Sequence, residues 1–199
     1  CKCFIIYIYL RYGVPFASVS FLLSMVYSKS VIVDCGFRVV AKHSAGVGAI
    51  ATYRLNNVKD LADFFKRKPD TDYIMEEFIA GTIYSFDGLA DRSGKPLFYT
   101  AHIFSQGIME TVNEARHIYY YSLRDIPATL EKIGHACLKA FNVKERCLHI
   151  DFLPSAADQF VAREVHRGPP GGFTTVRFNY ACDCDLSRVW CVVLSHLRA

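Results

Sequence analysis

Two carboxylates and an imidazole within one short stretch carry the first chemical signal. From Leu148 to Gly172 the sequence reads LHIDFLPSAADQFVAREVHRGPPGG. It divides into two strand-prone segments, Leu148–Leu153 and Gln159–His166, around a turn containing Pro154, Ser155 and Asp158. In a hairpin of this kind Asp151 on one strand and Glu164 on the other can meet, and His166, two residues on, projects from the same face as Glu164. Such a set suits a hard divalent cation such as Mg2+, which takes one or two carboxylates and shares the rest of its shell with phosphate oxygens and water. An ordinary half-exposed hairpin with surface charges gives the same alternation. The Gly168–Gly172 tail favours the first reading, because a rigid turn poor in side chains brings backbone close to a ligand.

A second candidate lies upstream. Residues 37–42 (FRVVAK) read as a buried strand that delivers Lys42 at its end, and a small-residue loop with Ser44, Gly46 and Gly48 follows. Backbone N–H groups freed by glycines can point at phosphate oxygens while the ammonium supplies a mobile charge. A lysine that merely snorkels from the strand end is the alternative. Gly46, Gly48 and Ala51 also match the dinucleotide pattern G-x-G-x-x-A, which needs a helix opening at the glycines. Residues 49–55 (AIATYRL) instead contain Ile, Thr and Tyr and stop at Asn56-Asn57, so they read as a returning strand and the loop as a hairpin flap. No Gly-Lys-Ser/Thr follows, which excludes a Walker A loop.

The elements that must position these groups follow from pattern. Asn57 caps a predicted helix with an apolar face of Val58, Leu61, Phe64 and Phe65, closed by Lys66-Arg67-Lys68-Pro69. Residues 73–81 (YIMEEFIAG) form an apolar strand interrupted by Glu76 and Glu77 just before Gly81, a candidate hinge. Strands are predicted at Ser85–Ala90, Pro96–Phe104 and Ile118–Tyr121. Asp125 reads as a helix cap with Pro127 in the first turn, and Ile126, Leu130, Ile133, Cys137 and Phe141 as its core stripe. Asp185–Leu197 is a candidate closing helix.

Composition narrows the class. At 199 residues, 52% hydrophobic and 21% charged, the chain can bury a core. A formal charge of +4, with no basic run beyond Lys66–Lys68, argues against a nucleic-acid binder and leaves anionic small molecules open. The eight cysteines lack zinc-finger spacing, which predicts free thiols and a cytoplasmic setting. The apolar runs near the N-terminus are short or broken by serines, so no membrane span is expected. A Cys at position 1 suggests a fragment or processed product, and the apolar run directly after it argues against a lipid anchor.

Taken in order, VVAKHSAGVGA (39–49), DYIMEEFIAG (72–81), YSFDGL (84–89), HIDF (149–152) and AREVHRGPPGG (162–172) resemble the ATP-grasp superfamily, nearest in look to its carboxylate–amine ligases. The match runs from about Gly13 to Trp190. The resemblance implies an α+β fold, an ATP-grasp body of two lobes with antiparallel sheets and packed helices and a nucleotide site between them. It implies three segments: 1–36 leading in, 37–81 as the smaller lobe with flap and hinge, and 82–199 as the larger lobe with the metal hairpin. It implies that Lys42 and the flap residues Ser44, Gly46 and Gly48 meet ATP phosphates. Adenine would lie on the hinge residues Glu76, Glu77, Phe78 and Ile79, read by the backbone of Glu76 and Ile79. Asp151 and Glu164, with His166, would hold Mg2+, with Mn2+ able to compete. Substrates would be a small carboxylate and an amine, joined through an acyl phosphate.

Three departures stand out. His166 occupies the family's usual Asn position. Gly168 occupies its Arg position, with Arg167 displaced by one, so that Arg167 can act as the catalytic cation only if residues 166–170 leave regular strand geometry. Ile83 stands where an acid often binds ribose. The separate N-terminal substrate lobe of complete members is also missing from the match. A non-catalytic nucleotide-binding remnant is therefore the alternative function.

Overall fold

A computed structural model of the protein describes residues 13–15, 19–22, 32, 36–43, 51–105, 107, 117–155, 159–169, 173–183 and 185–195. The chain divides into two compact units, whose described parts lie chiefly at 19–80 in one and at 13–15, 81–105 and 119–195 in the other.

In the first unit, β1 (Val19–Leu22), β2 (Val39–His43), β3 (Tyr53–Leu55) and β4 (Tyr73–Glu77) form an antiparallel sheet in the order β1-β4-β2-β3. β3 returns antiparallel beside β2, with Val39 opposite Leu55. That strand, where the dinucleotide pattern needs a helix, rules the dinucleotide pattern out. Helix α1 (Val58–Arg67) begins at Asn57, whose side chain accepts the Asp60 N–H, and ends with Lys66 and Arg67 in its last turn. Its Leu61 and Phe64 pack on Val39, Ala41, Leu55, Tyr73 and Met75. Val58, predicted on that apolar face, is 67% exposed, because as the first helical residue it precedes the turn that meets the sheet.

In the second unit, β5 (Ile83–Ala90), β6 (Pro96–Phe104), β7 (Tyr120–Ser122), β8 (Arg146–Pro154) and β9 (Phe160–His166) form an antiparallel sheet in the order β7-β6-β5-β8-β9. On one face, helix α2 (Ala128–Ala140) packs against Phe86, which stacks on Tyr99 and meets His135 edge-on. Gly134 makes this possible, since a Cβ there would lie 2.5 Å from the Phe86 ring. The helix starts after Pro127, which caps it without a side-chain bond. Asp125, predicted as the cap, therefore lies outside it, and the buried stripe is Leu130, Gly134, Cys137 and Leu138.

The other face of this sheet is covered at one end by α3 (Thr174–Cys182) and α4 (Leu186–Ser195), whose Phe178 and Leu186 pack on Leu89 and Cys147. Helix α3 was not predicted; its start, Thr174-Thr175-Val176, is β-branched and carries no helical stripe. Among the described residues no helix is long and apolar enough to cross a membrane.

Candidate functional site

The register of the larger sheet turns scattered polar residues into an ordered face. Opposite residues of antiparallel strands point to the same side, and so do residues two apart on one strand. His102, Ser85, Asp151 and Glu164 therefore form one row across β6, β5, β8 and β9, and Thr100, Asp87, His149 and His166 form the next. The following positions, Phe98, Leu89 and Cys147, are the apolar ones that α3 and α4 cover. Polarity thus begins where the helices stop. Across the strands the rows run from Ser85, Asp87 and His102, all fully buried, through partly buried His149 and Asp151 to exposed Glu164 and His166.

Asp87 is the centre of the buried end. Its Oδ1 accepts from His149 Nδ1 at 2.5 Å, and its Oδ2 accepts from His102 Nδ1 at 3.0 Å and from the Ser85 hydroxyl. Burial on its own pushes the Asp87 carboxyl up, but the hydrogen bonds from His102 and His149 outweigh it and hold it below the usual range. The second nitrogen of His149, Nε2, lies 3.3 Å from Asp151 Oδ1. A ring with a carboxylate at each nitrogen is held best as imidazolium, which carries an N–H on both. Burial favours the neutral ring, yet the bond to Asp87 and the charges of Asp87, Asp151 and Glu164 push His149 up to about 9. Burial also pushes Asp151 up to about 6; His149 opposes the rise and Glu164 adds to it.

A pH dependence follows for the metal-free protein. The His149 pKa of about 9 lies above its ordinary 6.5, so its contribution is fully present below pH 6.5 and is lost as pH rises through 9. The shift corresponds to a loss on the order of 3 kcal/mol. Asp151, raised from 3.8 to about 6, also favours the acid side, its contribution being lost as pH climbs from about 4 to 6. Thermal unfolding without metal should therefore occur at a clearly lower temperature at pH 9.5 than at pH 6.5. Equal transitions would mean that His149 is not charged between its two carboxylates.

The predicted metal residues are partly assembled. Asp151 and Glu164 stand directly opposite, just before a register shift between Asp151 and Phe152. His166 is exposed and its ring turns toward Gly168, where a Cβ would lie 3.2 Å from His166 Cε1. Among the described residues no group of three or more His, Cys, Asp or Glu is gathered in metal-holding geometry. Asp151 Oδ1 is buried and has no hydrogen-bond partner among the described residues, its approach to His149 being close enough for charge attraction but not aligned for a hydrogen bond. Regular strand structure ends at His166, and Arg167 and Gly168 lie in a bend, so the alternation that would send Arg167 to the opposite face stops before it.

In the smaller unit Lys42 is the penultimate residue of β2, which runs on to His43, and it is engaged. Its Nζ lies 2.7 Å from Glu76 Oε1, across the diagonal set by Val40 opposite Glu76 and Lys42 opposite Ile74. Glu76 and Glu77 both lie inside β4, and β4 is flanked by β1 and β2. The Phe78 N–H donates to the Arg38 carbonyl at 2.9 Å, on the β2 side. Backbone groups alternate sides along a strand, so those of Glu76 also turn to β2, while those of Glu77 turn to the β1 side and Ile79 lies beyond the strand. The Glu76 backbone thus faces β2 in the ladder and its carboxylate is paired with Lys42. Arg54 stacks its guanidinium 4.0 Å from the Phe78 ring centre. Ser44, Gly46 and Gly48 lie outside the described residues.

Sequence reasoning missed Asp87, His102 and His149 as a group. The available signal was the polar residue at every second position of an apolar run, Ser85 and Asp87 in IYSFDGLA.

No family model matches the sequence, and no curated protein matches it. Solved structures do. The D-alanine–D-alanine ligase of Bacillus anthracis is 16% identical with a TM-score of 0.70, covering 99% of this chain and 67% of its own. The ATP-grasp ligase PsnB, complexed with minimal precursor, is 14% identical with a TM-score of 0.63, covering 98% and 60%. The biotin carboxylase domain of the Hydrogenobacter thermophilus 2-oxoglutarate carboxylase, solved with MgADP and bicarbonate, is 18% identical with a TM-score of 0.60, covering 86% and 40%. All three are ATP-grasp enzymes, and the chain spans 40% to 67% of their lengths.

Proposed function

We propose, from the ATP-grasp fold that this chain has, that it binds ATP with Mg2+ and serves the ligation of a small carboxylate to an amine. The observation that carries the reading is the facing pair Asp151 and Glu164, with a buried Asp151 oxygen that lacks a hydrogen bond among the described residues. Two carboxylates in register repel, so the site suits a cation. A neighbour of the same fold was solved with MgADP. In this reading Asp151 and Glu164 hold Mg2+, and His166 joins only by turning away from Gly168. Bound Mg2+ supplies positive charge to phosphate oxygens.

The chain's own groups take the remaining roles. Lys42 serves the phosphates with the loop of Ser44, Gly46 and Gly48. The main chain of Ile79 serves adenine beside Phe78, and Glu76 holds Lys42. Arg167, in its bend, supplies charge to the transferring phosphoryl group. The phosphoryl group passes from ATP to the substrate carboxylate, and the amine then attacks the acyl carbon and expels phosphate. Free Cys137, Cys147 and Cys191 fit a reducing cytoplasm.

The packing of His166 against Gly168, the two positions that depart from the family pattern, favours a second reading, a remnant that binds nucleotide without turnover. Calorimetric titration tests the first. ATP should bind at least about tenfold more tightly with Mg2+ than without it, and Asp151→Asn or Glu164→Gln should abolish that gain. ATP affinity indifferent to Mg2+ would refute the metal assignment. A protein that binds MgATP but forms no phosphate with any carboxylate and amine would support the remnant.

A further inference from the structure

We propose that buried Asp87 is a positioning residue that, by gripping His102 and His149 together, fixes the His149 imidazole against Asp151 and so presets the carboxylate offered to the metal. The inference rests on the assignment of Asp151 as a metal ligand. Its own support is geometric. Asp87 accepts from three groups, Ser85, His102 and His149, and has no exposed surface, so it has a single arrangement available. His102 is itself clamped, its ring 5.2 Å from Phe178 of α3 and 6.0 Å from Tyr120. Tyr120 is held in turn by Arg177, 4.2 Å over its ring, and by a 3.1 Å bond from its hydroxyl to Thr174. The grip therefore begins in a packed helix, crosses three strands and ends on one Asp151 oxygen at 3.3 Å.

A partly buried carboxylate without a fixed partner would otherwise sample more than one rotamer, and each lost rotamer raises the affinity of whatever it binds. Outer partners that orient metal-holding side chains are typically worth about 10–100-fold in metal affinity. No group of three candidate donors is gathered at this site among the described residues. Orientation of the few that are present therefore matters more.

The test is Mn2+ binding to the chain saturated with a non-hydrolysable ATP analogue, read by electron paramagnetic resonance, beside affinity for the analogue without metal. Asp87→Asn keeps the volume and removes the charge that holds both rings. It should weaken Mn2+ binding by about tenfold or more and broaden the bound-metal spectrum, while metal-free analogue affinity stays within about twofold. If Asp87→Asn does not fold, His149→Gln, at a partly exposed position, decides by the same readouts. Mn2+ binding unchanged in the folded variant, with Asp151→Asn still abolishing it, overturns the positioning role alone. Mn2+ binding that survives Asp151→Asn overturns the metal assignment beneath it.

Discussion

Lys42→Ala is expected to lower stability and ATP affinity together. The lysine is 2.7 Å from Glu76, whose side chain is only 6% exposed, and alanine would leave that carboxylate buried without a counter-charge. Removing one partner of a largely buried ion pair costs about 3 kcal/mol, because the surviving charge keeps its desolvation penalty and loses the attraction that offset it. For a chain of this size the unfolding temperature should fall by on the order of 10 °C. If Lys42 also serves phosphate, affinity for ATP should drop at least about tenfold. The two effects separate in the double variant Lys42→Met, Glu76→Leu, which replaces the pair by apolar side chains. It should recover most of the stability and none of the ATP affinity. Should Lys42→Ala bind ATP as wild type does, the lysine is there for Glu76 alone.

Gly134→Ala should destabilise the larger unit although it improves helix propensity. The added Cβ would lie 2.5 Å from Phe86 Cγ and 2.7 Å from both Cδ atoms, against the 3.5–4.0 Å that carbon atoms ordinarily keep. Phe86 cannot yield, being fully buried and stacked on Tyr99. Overpacking of this severity costs about 3 kcal/mol, and alanine's advantage over glycine in a helix returns about 1. The net loss of about 2 kcal/mol should appear as a fall of roughly 4–8 °C in unfolding temperature. Phe86 lies between Ser85 and Asp87 on β5, so a displaced ring also disturbs the grip on His149. An unchanged or raised transition would show that α2 can lift from the sheet at no cost.

What the sequence disclosed depended on how far apart the interacting residues lie in it. The meeting of Asp151 and Glu164 needs only a turn and a period of two, both of which are local. The same holds for Asn57 and the start of α1, since a cap acts over three residues. The bond between Asp87 and His149 joins residues 62 positions apart, and the pair of Lys42 and Glu76 depends on which strands lie side by side. Neither follows from spacing. Asp125 failed as a cap and Val58 as a core residue for a related reason, because tertiary packing decided where each helix began to touch its sheet. The residues of the family pattern were legible where their role is fixed by their own backbone, and less so where a neighbour claims them, as with Glu76.

Glu164 and His166 sit on β9, the last strand in the order β7-β6-β5-β8-β9. An edge strand has a ladder on one side only, and the outer side of β9 includes the 2.8 Å bond from the Ala162 N–H to the Pro15 carbonyl. Its attachment to the unit is thus weaker than that of β5 or β8, each of which lies between two neighbours. A cation shared by Asp151 and Glu164 would join this outermost strand to the one inside it. Part of the free energy of binding would then appear as closure of the sheet margin, and loss of the ion would let the margin loosen while the interior strands remain paired.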